Sequence, residues 1–260
     1  MNRIFIQGFP YDEKSSYLKG TRNGPGRIRE VLRNGSANSF AEIGIDTDRP
    51  EIEDKGDFEI SNYFDIEKIS SGHLQQDARL LSLGGDHSIT YPIVKACHQF
   101  YSRFDILHID AHPDLYHEYG GDPYSHACPF ARIMEGGHTA RLVQIGIRTF
   151  NTHQREQAER LGVESLEMKD FTVGKIPDFE NPVYLSIDMD GIDPAYAPGV
   201  SHLEPGGLSS RQVIEIIRKI NTGIIGADIV EYNPERDVQD ITAALAAKLM
   251  KEILGKMIEF

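Results

Sequence analysis

Cysteine is scarce in this chain of 260 residues. Cys97 falls within a helical pattern and Cys128 lies beside a histidine, too few and too unpatterned for a disulfide framework or a thiolate zinc site, and this fits a reducing compartment. Long hydrophobic runs are missing too. No apolar stretch reaches the roughly 20 residues that a membrane helix needs. The N-terminus carries a short strand-like run, Ile4 to Phe9, instead of an apolar core with a cleavage site. A soluble, cytoplasmic protein is expected. Basic residues are outnumbered, 27 against 40 acidic, and the net charge of −13 argues against nucleic acid and anionic membrane surfaces as partners while favouring a small cation. There is no linker, internal repeat or low-complexity segment, so residues 1–260 read as one domain able to bury a sizeable core.

What is present is alternation. A turn-rich loop, Gly20 to Gly26, precedes a short helix from Arg27 to Arg33. Helical patterns then follow near Ser61–Gln75, Ser88–Phe100, His126–Glu135, Thr152–Leu161, Ser209–Ile220 and Asp240–Ile258, with short apolar strands between them. Val213, Ile214, Ile216, Ile217 and Ile220 form one face of their helix, and Ser209 with Gln212 suits a capping box. Strand–helix repetition at this spacing implies right-handed crossovers, a mainly parallel sheet and an α/β fold built as a three-layer α/β/α sandwich. In such sheets a ligand lies at the carboxyl ends of the strands.

Four strand-like runs end in acidic and histidine residues: Gly84-Gly85-Asp86-His87-Ser88, Asp110-Ala111-His112-Pro113-Asp114, Ser186-Ile187-Asp188-Met189-Asp190 and Asp228-Ile229-Val230-Glu231. Asp86 reads as a helix cap and Asp193, before Pro194, as a turn former. If the chain stays extended, Asp110, His112 and Asp114 share one face, as do Asp188 and Asp190, and Pro113 biases His112 to that conformation. His87, Asp110, His112, Asp114, Asp188 and Asp190 together would place four carboxylates within a few ångströms, which demands compensating cations. Two divalent ions balance that charge. Oxygen-rich ligation with one imidazole per ion suits Mn2+ better than zinc, and nickel, cobalt or iron are also compatible.

These motifs, with Asp190-Gly191-Ile192-Asp193-Pro194, Glu231-Tyr232-Asn233-Pro234 and the loop Gly20-Thr21-Arg22-Asn23-Gly24-Pro25-Gly26, resemble the ureohydrolase family of arginases and agmatinases over almost the whole chain. Ser125-His126-Ala127-Cys128-Pro129-Phe130 and Pro198-Gly199-Val200-Ser201-His202-Leu203-Glu204-Pro205-Gly206-Gly207 look most like its plant-type branch. The resemblance implies two Mn2+ per subunit. One ion would be held by His87, Asp110, Asp114 and Asp188 and the other by Asp110, His112, Asp188 and Asp190. It also implies hydrolysis of a guanidinium group to urea and an amine, with Asp114 passing a proton to the leaving amine, His126 exchanging protons with solvent, and Glu231 pairing with the guanidinium. A homo-oligomer, trimer or hexamer, is implied by the same likeness.

Arginine and agmatine differ by a carboxylate, and the groups that would read it depart from the family pattern. Animal and bacterial arginases carry an Asn where this chain has Tyr116, and Ser-Gly-Asn where it has Asp122-Pro123-Tyr124-Ser125; bacterial agmatinases carry His-Gly in place of His126-Ala127. The plant-type likeness favours arginine, with agmatine as the alternative and Tyr116, Tyr124, Asn151 and His202 as candidate substrate contacts. Cys128 reads as a small buried hydrophobe, since the hydrolysis needs no covalent step. A histone-deacetylase-like hydrolase would use one zinc and fewer carboxylates, and a non-catalytic guanidine- or polyamine-binding relative would be expected to have lost a ligand or Glu231.

Overall fold

The computed structural model describes residues 3–260. Eight strands, β1 (Arg3–Phe9), β2 (Ile52–Asp57), β3 (Ala78–Gly84), β4 (Asp105–Ile109), β5 (Arg141–Ile145), β6 (Glu164–Leu166), β7 (Val183–Asp188) and β8 (Ile224–Val230), form one sheet. Their order is β2-β1-β3-β8-β7-β4-β5-β6, and every pair is parallel. Seven helices cover it: α1 (Gly24–Arg33), α2 (Asp65–Leu74), α3 (Thr90–His98), α4 (Pro129–Glu135), α5 (Thr152–Leu161), α6 (Ser210–Lys219) and α7 (Ile241–Glu259). The sandwich expected from the alternation is therefore present. No helix among the described residues is long and apolar enough to cross a membrane.

The two faces of the sheet bury different side chains. On one, Leu81, Leu107, Ile109, Leu185, Ile187 and Ile229 pack with Ile28 of α1, Val213, Ile216 and Ile217 of α6 and Leu249 and Ile253 of α7. Full burial of each such aliphatic side chain is worth about 1.5–3 kcal/mol. On the other, Phe5, Leu80, Ile106, Leu142 and Tyr184 pack with Ile66 and Leu74 of α2, Ile93 and Val94 of α3 and Phe130 of α4. The α6 capping box is made as expected, Gln212 N–H donating to Ser209 Oγ at 3.2 Å and Ser209 N–H to Gln212 Oε1 at 2.9 Å.

Two helices begin at a different place from the one expected, and each has a proline in its first turn. α1 begins at Gly24, inside the turn-rich loop, because Pro25 occupies its first turn, where a missing N–H is harmless. α4 begins at Pro129 for the same reason, leaving His126 in the loop before it.

Candidate metal centre

β3, β8, β7 and β4 are consecutive across the middle of the sheet, so the four acidic and histidine stretches meet at one rim. The expected strand-like alternation does not bring them there. β4 stops at Ile109, and Asp114 takes φ 49°, while Glu231 takes φ 61° just past β8; this left-handed backbone, uncommon for residues with a Cβ, turns each chain across the strand ends. Asp190 lies in a 3-10 turn that Asp188 caps, its Oδ1 accepting from Asp190 N–H at 2.8 Å. The metal-type residues thus converge by turning, not by continuing their strands. Gly191 permits that convergence: a Cβ there would stand 2.8 Å from the Asp110 Cα.

His87 is fully buried, and its Nδ1 has no hydrogen-bond partner. Three carboxylate oxygens surround that nitrogen, from Asp110 and Asp114 at 3.2 Å and Asp188 at 3.1 Å. The other nitrogen is committed: Asp228 accepts the Ser186 hydroxyl proton (2.6 Å), so Ser186 Oγ accepts from His87 Nε2–H (2.9 Å). The lone pair of Nδ1 therefore points into a cluster of anions, an arrangement that fits a cation and little else. A second group lies beside it, His112 Nδ1 standing 3.2 Å from Asp190 and 3.5 Å from Asp110. One donor atom from each of Asp110, His112 and Asp190 lies within 4.8 Å of the others, and Asp110 belongs to both groups.

Without cations the charges strain against each other. Burial raises the Asp114 carboxyl to about 6, with the Asp110 charge adding to it. Burial, then Asp190 and Asp110, raises Asp188 well above the ordinary range. Burial opposes a proton on His87, yet Asp110, Asp114 and Asp188 together push its pKa well up. A divalent ion at each group would replace these protons and satisfy the orphaned Nδ1.

Beside the carboxylates, His126 Nδ1 lies 2.9 Å from Glu231 Oε1, and that oxygen also accepts from His87 N–H at 3.0 Å. At the far nitrogen, Ser16 offers both a backbone N–H at 3.2 Å and a hydroxyl at 2.8 Å. Ser16 N–H can donate to neutral His126, and Ser16 Oγ can accept from the charged form, so the ring keeps a partner in either state. Burial disfavours charge on His126, but the Glu231 pair outweighs it and lifts the pKa to about 9.

His126, Glu231 and Asp114 line one cavity of about 250 Å³ with Ser16, His112, Asp188, Asp190, Tyr116, Tyr119, Thr149, Gln154, His202 and Glu204. His202 stands at its wall, its ring 5.5 Å from that of His112 and 5.3 Å from Tyr17. Two expected substrate contacts are elsewhere. Tyr124 packs into an aromatic cluster with Tyr63, Phe64 and Tyr91, which holds its half-buried ring outside the cavity lining. Asn151 caps α5 through Gln154 N–H (2.9 Å) and reaches the cavity only by donating to Tyr116 Oη (2.5 Å). Tyr119, within the loop Tyr116 to Tyr124 expected to meet the substrate, does line the cavity, whereas Ser16, Gln154, Glu204 and the buried His108 carry no expectation from the sequence. For His108 the signal was there, two residues before Asp110 in β4. Cys128 is buried as expected, and burial pushes its thiol to about 12.

Known proteins carry the same arrangement of strands. A sequence model described as the arginase family matches residues 2–255. Arginase 1, mitochondrial, of Arabidopsis thaliana is 44% identical over 275 residues, which span 97% of this chain and 80% of the relative. The structure of arginase from Medicago truncatula superposes with a TM-score of 0.91 at 43% identity, covering 98% of this chain and 87% of that one. An agmatinase of Bacillus cereus is 33% identical across 97% of this chain and 91% of its own length. With this sheet and this carboxylate cluster, the chain belongs to the arginase family, hydrolases of amidine C–N bonds.

Proposed function

We propose that the protein hydrolyses L-arginine to urea and ornithine at a centre of two Mn2+ ions. The observation that carries a guanidino substrate is the cavity lining: Asp114, Asp188, Asp190, Glu204 and Glu231 are acidic, and neither lysine nor arginine lines it. Two divalent cations, when bound, supply electrophilic activation of water near neutral pH. His87, Asp110, Asp114 and Asp188 would hold one, and Asp110, His112, Asp188 and Asp190 the other. The chain's own groups do the rest. Glu231, already accepting from two N–H donors, turns its remaining lone pairs to the guanidinium in a charge-assisted pair. Asp114 is placed beside the centre to hand a proton to the departing amine, and His126, able to keep or lose its proton without losing Ser16, exchanges it with solvent.

Arginine is favoured over agmatine by the stronger likeness to proteins named arginase, 44% against 33% identity at the same coverage of this chain. Tyr116 supports that reading: its oxygen accepts from Asn151, which frees its own proton for a carboxylate. Agmatine is the second reading, favoured by the lack of a lining cation to meet a carboxylate and by Glu204, suited to the far ammonium. Urea release from arginine, agmatine, guanidinobutyrate and guanidine by the Mn2+-loaded protein decides between them. Arginine with the highest kcat/KM is expected; agmatine in its place would overturn the arginine assignment. Assembly as a trimer or hexamer and a place in the cytoplasm belong to the same proposal, which sedimentation and cell fractionation would test.

A further inference from the structure

We propose that His108 is a positioning residue that fixes Asp110 between the two cation sites, and that Gln144 sets the His108 tautomer that allows it. The inference rests on the metal-centre reading above. His108 lies in β4, in register with Gln144 of β5 and Ser186 of β7, and all three are fully buried. Gln144 Nε2 is 2.7 Å from the Pro113 carbonyl oxygen and 3.1 Å from His108 Nδ1, while its Oε1 accepts from Ser165 Oγ at 3.0 Å. A carbonyl oxygen only accepts, so the amide nitrogen must face Pro113. An amide nitrogen only donates, so His108 Nδ1 must carry the lone pair. The ring proton is thereby placed on Nε2, 2.9 Å from Asp110 Oδ2. Phe130 stacks on the ring at 3.8 Å and holds its plane.

The fixed tautomer separates His108 from the ligands. His87, His108 and Asp110 bring donor-type atoms within 4.8 Å, yet neither His108 nitrogen has a lone pair left for a cation. Its effect falls on Asp110. Oδ2 receives the His108 proton while facing His87 Nδ1 at 3.2 Å; Oδ1 receives His112 N–H at 2.6 Å and lies 3.5 Å from His112 Nδ1. Each oxygen is thus held by one N–H and turned to one imidazole, leaving one oxygen for each cation. Gln144 also ties down Pro113, between His112 and Asp114, so one amide holds the stretch that carries Asp110, His112 and Asp114 at two points.

The test is calorimetric titration of the metal-free full chain with Mn2+, with the bound ions counted after dialysis, for the wild type, His108→Leu and His108→Gln. Removing a group that orients a ligand typically weakens metal binding by about 10–100-fold, and that loss is expected for at least one ion in His108→Leu. His108→Gln, which keeps an N–H near Asp110 and an acceptor for Gln144, should recover most of it. A merely structural histidine would lower the melting temperature of the metal-free protein and leave Mn2+ affinity alone, which would overturn the inference. If His108→Leu does not fold, His108→Asn decides. Its shorter amide can meet Gln144 but does not reach Asp110, so unchanged Mn2+ affinity would overturn the inference equally. A wild type that takes up no Mn2+ would bring down the metal-centre reading, and this inference with it.

Discussion

The two faces of the one sheet are built to different rules. Toward α1, α6 and α7 the strands present aliphatic side chains, among them Leu83, Leu107, Ile145, Leu185 and Ile229. Toward α2, α3 and α4 a single register row, Gln7, Ser82, Asp228, Ser186, His108, Gln144 and Ser165, crosses β1, β3, β8, β7, β4, β5 and β6. Polar groups cost free energy in a core unless they are hydrogen-bonded. Here they bond to each other and to those helices: Gln7 to Ser70, Ser82 and His73, Asp228 to Thr90, Tyr184 and Ser186. The aliphatic face can stabilise without direction. The polar face trades apolar burial for orientation, and its members end at His87 and Asp110.

The sharpest way to break this contrast is at the rim itself. Asp188→Asn should lose Mn2+ and lower turnover at least about 10³-fold, the scale of removing a preorganised charge at a reacting centre; retention of both ions with full turnover would disprove the bridging role. On the aliphatic face, Ile217→Ala should cost about 2–5 kcal/mol in denaturant unfolding yet leave Mn2+ affinity unchanged. Loss of Mn2+ affinity in that variant would show that the faces are not separable.

A smaller effect lies in pH. His126 gains its proton more readily folded, near 9, than unfolded, near 6.5, because Glu231 outweighs burial. The pair's contribution is therefore complete below about 6.5 and lost as pH rises through about 9. A shift of that size corresponds to ~3 kcal/mol. Unfolding of metal-free wild type against His126→Asn, followed from pH 6 to pH 10, should show the two curves converging at the alkaline end; a constant gap would remove the charge from His126. Smallest of all, Ser209→Ala should cost about 1 kcal/mol by deleting the α6 cap, with kcat/KM unaltered. Tyr124→Phe should leave KM for arginine unmoved, since its ring lies in the aromatic cluster.

Much of this was legible in the residues. Parallel strands, sandwiching helices and convergence at the carboxyl rim follow from periodicity, because a buried strand and an amphipathic helix write different repeats into the chain. The acidic and histidine stretches also named their chemistry, since four carboxylates in one place require cations. The backbone path was not legible: positive φ at Asp114 and Glu231 depends on contacts with other loops, such as Glu231 N–H to Gly85 O at 2.8 Å. Tyr124 and Asn151 show the same limit. Both stand near the motifs in sequence, and only packing decides that one joins an aromatic cluster and the other caps a helix.

By itself, then, the sequence determined the layers, the rim and the inventory of ligand-type groups, because these rest on local repeats and on residue chemistry. The tertiary structure alone decided which nitrogen of His87 faces the carboxylates, which tautomer His108 adopts and which side chains wall the cavity. Those choices hang on hydrogen bonds between strands far apart in the chain, Gln144 to His108 and Asp228 through Ser186 to His87, and a register between strands exists only once the sheet has formed.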